Sequence, residues 1–137
     1  MTSKVTYLGN LRTEAIHIRS GNTIITDAPV DNNGKGEAFS PTDLVATALG
    51  SCMTTIMGIA AEAHKIDIEG LTVEIHKFMA SNPRRIEKVQ LLMTLPAKGY
   101  SKKERKILEA AAHGCPVGLT IKEGVEELTI QWKDDEV

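Results

Sequence analysis

The sequence lacks a basic excess. Its 137 residues carry 16 Lys and Arg against 18 Asp and Glu, a net charge of −2. No surplus of cations is available to neutralise phosphates, which argues against a nucleic-acid binder. An apolar leader is missing as well: Met1–Lys4 is polar and runs directly into a β-rich stretch. Cysteine is scarce, with only Cys52 and Cys115. Two cysteines without a leader do not make a disulfide framework, so a reducing compartment, the cytoplasm, is expected. A chain of this length buries roughly two-thirds of its unfolded surface and needs neither staple nor metal to fold. One domain over residues 1–137 is expected.

Several chemical signatures are absent. There is no C-x-x-C or H-x-x-x-H spacing, so a zinc site built from His113, Cys115 and either His64 or Cys52 has little support. Asn33-Gly34-Lys35-Gly36 is not followed by the Lys-Ser/Thr pair of a phosphate loop, and no G-x-S-x-G elbow occurs. His17 and His76 fall on predicted strands and read as surface or edge groups.

What is present is a clear order of elements. Lys4–Gly9, Leu11–Arg19 and Asn22–Asp27 read as strands, with Ser20-Gly21-Asn22 as a hairpin turn. Asp31–Phe39 is a polar loop containing glycine. Ser40 is a helix cap, Pro41 suits the first helical position, and Asp43 stands third. The apolar pattern that follows runs to about His64. Its uncharged core, Leu44–Ala61, approaches the length of a membrane span. Its threonines, serine and glycines favour a buried helix of a soluble protein, either wrapped by sheet or shared with a partner chain.

Two further strands, Leu71–Ala80 and Arg84–Leu95, are joined by Ser81-Asn82-Pro83. A helix over Lys102–His113 starts with the capping box Ser101/Glu104 and stops at Gly114. Cys115-Pro116 opens a short helical turn, and Val125–Lys133 is the last strand. The order βββ-α-ββ-α-β is α+β, without the regular alternation of a doubly wound sheet.

The two cysteines have different settings. Cys52 lies in the middle of the apolar helix. Cys115 stands at a helix start, where free N–H groups and the dipole favour a thiolate. Each is also the kind of small apolar residue that simply packs in a core, and spacing alone does not pair them.

The stretches Phe39-Ser40-Pro41-Thr42-Asp43-Leu44-Val45-Ala46 and Ala48-Leu49-Gly50-Ser51-Cys52-Met53, with the later Cys115-Pro116-Val117, resemble the OsmC/Ohr family. Its name joins osmotically inducible protein C with the organic hydroperoxide resistance proteins. The loop DNNGKGE and Leu11-Arg12-Thr13-Glu14-Ala15 are closer to the OsmC-like branch of unassigned role.

The resemblance implies an OsmC-like fold with a central buried helix, assembled as an intertwined homodimer with active sites at the chain interface. It implies a thiol peroxidase acting on organic hydroperoxides. Cys52 would be the peroxidatic thiol and Cys115 the resolving one. No bound cofactor is implied; a dithiol such as dihydrolipoamide serves as reductant. Apolar walls, with Met53 and Ile56 among them, would favour organic substrates. The family's cation is an early-strand arginine, which matches Arg12 best and Arg19 second. Its orienting glutamate would fall ten positions before Cys52, where this chain has Thr42. Asp43 points about 180° away around the helix and belongs to the cap. Glu37, in the preceding loop, is the carboxylate left to serve the arginine and the substrate. The departure at Thr42 keeps a second reading open: a small-ligand-binding or redox-sensing protein with a pocket around Cys52, Met53, Ile56 and Met57.

Overall fold

The structure, a computed structural model, describes residues 1–136. The first strands are β1 (Ser3–Gly9), β2 (Arg12–His17) and β3 (Thr23–Asp27). After a polar loop come helix α1 (Pro41–Ala63) and strands β4 (Thr72–Ala80) and β5 (Arg85–Leu95). Helices α2 (Lys102–His113) and α3 (Pro116–Thr120) precede β6 (Glu126–Trp132). The chain divides into two compact units, Met1–Val45 and from Ala46 onward. The α+β class and the element order expected from the pattern are both observed.

In the first unit β1, β2 and β3 form an antiparallel sheet in that order. Gly9, Asn10 and Leu11 all have positive φ (83°, 54° and 62°) and make the turn between β1 and β2. The second strand therefore begins at Arg12, not at Leu11, because Leu11 is committed to the turn. Alternation had drawn Leu11 into the strand; the Gly-Asn pair before it was the turn signal. The sheet is poorly covered within this chain. Val5, Tyr7, Leu8, Ile16, Ile24 and Ile25 are all exposed. Its buried side chains, Thr26 and Asp27, are polar and stand together at the end of β3.

The second unit has the order β4-β5-β6. Strands β4 and β5 are antiparallel, whereas β5 and β6 are parallel. The parallel pair needs a crossover, and α2 with α3 supplies it. The period-2 pattern of β5 gives its inner face, because alternate residues of a strand point the same way. Val89, Leu91, Met93 and Leu95 are fully buried, together with Leu108 and Ala112 of α2. Burying each large apolar side chain of this kind contributes about 1.5–3 kcal/mol.

Helix α1 starts as the sequence predicts. Ser40 Oγ accepts the Asp43 N–H and Asp43 Oδ2 accepts the Ser40 N–H, each at 3.0 Å, a reciprocal cap with aspartate in the acidic role. By length and composition α1 could cross a membrane. In the structure one of its faces, Ala46, Leu49, Gly50, Met53, Met57 and Ala61, is buried. At Gly50 an added Cβ would come within 2.7 Å of Ile75 Cδ1 on β4, so this glycine allows helix and sheet to close up. A helix wrapped by sheet or shared with a partner chain was expected; within this chain Val45 and Ile59 on its other side are exposed. The reason is geometric: the β4-β5-β6 sheet has one apolar face to offer, and it covers one face of the helix.

The start of α2, at the opposite end of the helix from Cys115, is held in place by the segment after β6. Arg105 makes a two-pronged pair with Asp135 at 2.8 and 2.9 Å and lies 4.8 Å over the Trp132 ring. Asp134 accepts the N–H groups of Gly99 and Tyr100 at 2.9 and 2.6 Å. Those two bonds stabilise its charged form and lower its pKa.

Candidate functional site

Cys52 and Cys115 are far apart in sequence and adjacent in the second unit. Both are free thiols, Cys52 half-buried and Cys115 fully buried. They are near enough that the Cys52 thiol contributes to raising the Cys115 pKa. Cys52 arrives from the middle of α1. Cys115 arrives because α2 ends at Gly114 and the chain turns into α3 at Pro116. Leu49, one turn before Cys52 on α1, lies against the same spot: its Cδ1 is 3.5 Å from where a Cβ on Gly118 would sit.

Cys115 caps α3 through sulfur. Its Sγ accepts the Gly118 N–H at 3.2 Å. The sequence predicts that a helix start favours the thiolate here. The structure reverses the net direction. Burial, the largest influence, raises the Cys115 pKa, and the Cys52 thiol raises it further against the opposing Gly118 and Val117 N–H groups. Desolvation of a charged sulfur outweighs a short helix's partial charge. Burial thus favours the protonated form of Cys115.

Met53 is fully enclosed in the core, while Ile56 is half-buried and packs against it. Met53 is therefore closed to solvent within this chain.

The first unit contains a second constellation. Arg12, first residue of β2, stands opposite Asp27, last residue of β3, in the strand register. Arg12 Nε lies 3.9 Å from Asp27 Oδ2, and Arg12 Nη2 lies 3.5 Å from Glu37 Oε2. Asp27 is 1% exposed and Glu37 is 56% exposed. Asp27 also fixes the loop, since its Oδ2 accepts the Glu37 N–H at 3.0 Å and its own N–H bonds to the Phe39 carbonyl at 3.1 Å. Asp27 Oδ1 and Arg12 Nε have no hydrogen-bond partner. Arg12 and Glu37 thus meet as the loop reading expects, and Asp27 was missed. The available signal was an aspartate ending an apolar strand opposite the arginine. Arg19 is exposed in the turn after β2. Thr42 sits in the α1 cap, where its hydroxyl is 3.1 Å from Ser40 Oγ.

Arg12 and its carboxylates belong to the first unit, the two thiols to the second. Among the described residues no three His, Cys, Asp or Glu side chains form a group that could hold a metal ion.

Comparison with known proteins follows from this geometry. The family model described as OsmC-like protein matches residues 34–128. No curated protein sequence matches the chain. A crystal structure from Psychrobacter arcticus 273-4, described as a candidate osmotic-stress-induced and detoxification-response protein, is 52% identical over 96% of this chain and 95% of that one, with TM-score 0.88. An organic hydroperoxide resistance protein OsmC from Legionella pneumophila shares the fold at 19% identity, TM-score 0.67, covering 96% of both chains. A candidate organic hydroperoxide resistance protein from Vibrio cholerae, with captopril in one of its active sites, matches at 14% identity and TM-score 0.70 over 96% of this chain and 91% of that one. With a family match over most of its length and a relative of this identity, the chain belongs to the OsmC-like family.

Proposed function

We propose that this chain is a thiol-dependent peroxidase that reduces organic hydroperoxides. The observation that carries the reading is the nearness of two free thiols, half-buried Cys52 and buried Cys115, which pack in one core and influence each other electrostatically. The names of the Legionella and Vibrio relatives support the same class of activity.

The chemistry follows from sulfur. An ordinary thiol titrates near about 8.5, so at neutral pH only a few per cent is thiolate. In the family resemblance an early-strand arginine raises that fraction, and Arg12, paired with the buried Asp27 where Thr42 leaves the usual carboxylate missing, is the candidate for that role. The Cys52 thiolate attacks the O–O bond of the peroxide, releasing an alcohol and leaving a sulfenic acid. Cys115 then attacks that sulfur, forming a Cys52–Cys115 disulfide and releasing water. An external dithiol of the dihydrolipoamide type reduces the disulfide by exchange. Ile56, half-buried one turn after Cys52 on α1, is the apolar side chain proposed to favour organic substrates.

The working form in this reading is a cytoplasmic homodimer. The exposed apolar side chains of β1–β3 in the first unit are the surface a second copy would cover. The test is peroxide consumption with a dithiol donor, wild type against Cys52→Ser. Loss of turnover is expected; equal rates would remove Cys52 from the mechanism.

A second reading, a small-ligand-binding or redox-sensing protein, is favoured by the captopril in the Vibrio relative's active site, since captopril is itself a thiol. Stoichiometric capture of a thiol ligand without multiple turnovers of peroxide would select it.

A further inference from the structure

The buried thiol has a neighbour that neither the sequence pattern nor the family comparison brings forward. Glu126 is the first residue of β6 and is half-buried. Its Oε1 lies 2.9 Å from the point where a Cβ on Gly118 would sit, and Cys115 Sγ lies 3.5 Å from that same point. Carboxylate and sulfur thus face each other across the missing side chain of one glycine. Their separation is at most about the span of one bridging water. Beyond its place in the β5–β6 ladder, the side chain of Glu126 makes no hydrogen bond or ion pair among the described residues, so this carboxylate is not committed to a structural partner. Gly118 does not need to be glycine for backbone reasons, because its φ lies outside the positive range. What a side chain there would do is fill the gap.

The same place opens into a recess of about 340 Å³ lined by His113, Lys122, Glu123 and Glu126. The titratable groups around it are therefore His113 at the end of α2, Lys122 and Glu123 after α3 and Glu126 on β6, while Cys52 on α1 is the one that acts on the Cys115 sulfur. Of the charged groups, Glu126 is the one placed against Gly118 beside the sulfur.

We infer that Glu126 is the proton acceptor for Cys115 in the resolving step, acting through the gap that Gly118 keeps open. The inference rests on the peroxidase reading above. In that step Cys115 Sγ–H attacks the sulfur of the Cys52 sulfenic acid. The new S–S bond forms as the S–O bond of the sulfenic acid breaks. The thiol proton passes to the Glu126 carboxylate, directly or through one water, and from there to the departing hydroxide. One water leaves, and Glu126 returns to its ionised form. A thiol kept protonated by burial needs such an acceptor, because spontaneous ionisation at neutral pH leaves almost none of it reactive.

The test is a single turnover on the full-length protein, reduced and then given one equivalent of cumene hydroperoxide. Alcohol release reports oxidation of Cys52. A cyclic 1,3-diketone traps sulfenic acid, and mass spectrometry after alkylation reports the disulfide. In Glu126→Gln, disulfide formation is expected to slow by about tenfold to a hundredfold relative to alcohol release in the same sample, with trapped sulfenic acid rising to match. Gly118→Ala, compatible with the helical backbone, is expected to slow the same step by displacing the carboxylate. Glu126→Asp should restore part of the rate. The pH profile supplies the readout that a merely structural role would not move. Wild-type resolution should change little from neutral to alkaline pH, because the carboxylate takes up the thiol proton, and this flat profile should survive His113→Gln. Glu126→Gln should instead keep accelerating with pH as the thiol ionises. A Glu126→Gln protein that resolves at the wild-type rate with the wild-type profile would overturn the role while leaving the peroxidase reading intact. A wild type that forms neither sulfenic acid nor disulfide would remove that reading, and this role with it.

Discussion

The two units of this chain bury opposite things. From Ala46 onward, the second unit closes an apolar core in which Leu49, Met53, Met57, Leu91, Met93, Leu95 and Leu108 are all fully buried, and it places two thiols at the edge of that core. The first unit leaves its isoleucines in water and instead buries a carboxylate, Asp27, against a guanidinium. Hydrophobic burial stabilises a fold without direction; a buried charge costs stability unless a partner is held in place. The second unit is therefore built to persist alone. The first is built to hold an arginine in a set position and to offer an apolar surface to something else.

The comparison is broken most strongly by core truncation. Leu91→Ala removes a fully buried side chain from the centre of β5 and is expected to cost about 2–5 kcal/mol in urea unfolding. Ile24→Ala, at a side chain that is 51% exposed, is expected to cost under about 0.5 kcal/mol at high dilution. If Ile24→Ala costs as much as the core variant and the loss grows with protein concentration, the β1–β3 face is covered by a second copy. Analytical ultracentrifugation of both proteins reads this directly.

Next in size is the charged cluster. Arg12→Ala leaves Asp27 buried without its partner. A fully buried pair broken in this way costs 3–5 kcal/mol, but Arg12 keeps 35% of its side chain exposed, so about 2 kcal/mol is expected. Glu37→Gln removes a partner that is 56% exposed and should cost under about 1 kcal/mol. Equal effects would mean that Asp27 is not the anchor of the pair. Chemical denaturation at low and high salt separates the two, since the exposed partner is screened and the buried one is not.

The same contrast decides what could be read from the sequence. Where apolar periodicity governs, the reading was nearly complete: the inner face of β5, the limits of α2, and the Ser40-Pro41-Asp43 start of α1 all stand where the pattern puts them. These are local signals, fixed by strand and helix periods and by caps. The pairing of Cys52 with Cys115 came from family resemblance, because nothing local brings two such distant residues together. Asp27 was missed because its role depends on strand register, which sets it opposite Arg12. The direction of the Cys115 shift was misread for a related reason: the helix start is visible in the sequence and the burial that outweighs it is not. The outer face of α1 shows the limit of composition, since an apolar stretch announces burial without saying what covers it.

A smaller effect separates two glycines of α1. Gly58 has open space where a Cβ would go, so Gly58→Ala should stabilise the protein by up to about 1 kcal/mol through helix propensity. Gly50→Ala gains the same propensity but drives a methyl to 2.7 Å from Ile75 Cδ1. Overpacking costs about 1–3 kcal/mol in a rigid core, and the neighbour here is the end of a flexible side chain, so a net change near zero or mildly unfavourable is expected. Thermal unfolding of the two variants should rank Gly58→Ala above wild type and Gly50→Ala at or below it.

The smallest expected effect lies at alkaline pH and tests the second unit's thiol. Burial raises the Cys115 pKa above its ordinary value. The folded protein therefore holds this proton at pH values where the unfolded chain has begun to release it. Between the unfolded and folded pKa values the native state binds more protons, so stability falls as pH rises. The contribution is fully present below the ordinary thiol range and is lost as pH rises through the folded value. In Cys115→Ser, which keeps a small polar side chain but does not titrate there, the stability profile should flatten above about pH 8.5, the ordinary thiol value. The alkylation rate of Cys115, measured in the Cys52→Ser background, should rise only at higher pH than that of an unperturbed thiol. A Cys115 that alkylates with an ordinary thiol profile would place it in contact with water, and would erase the difference between a unit that shields its reactive group and one that displays it.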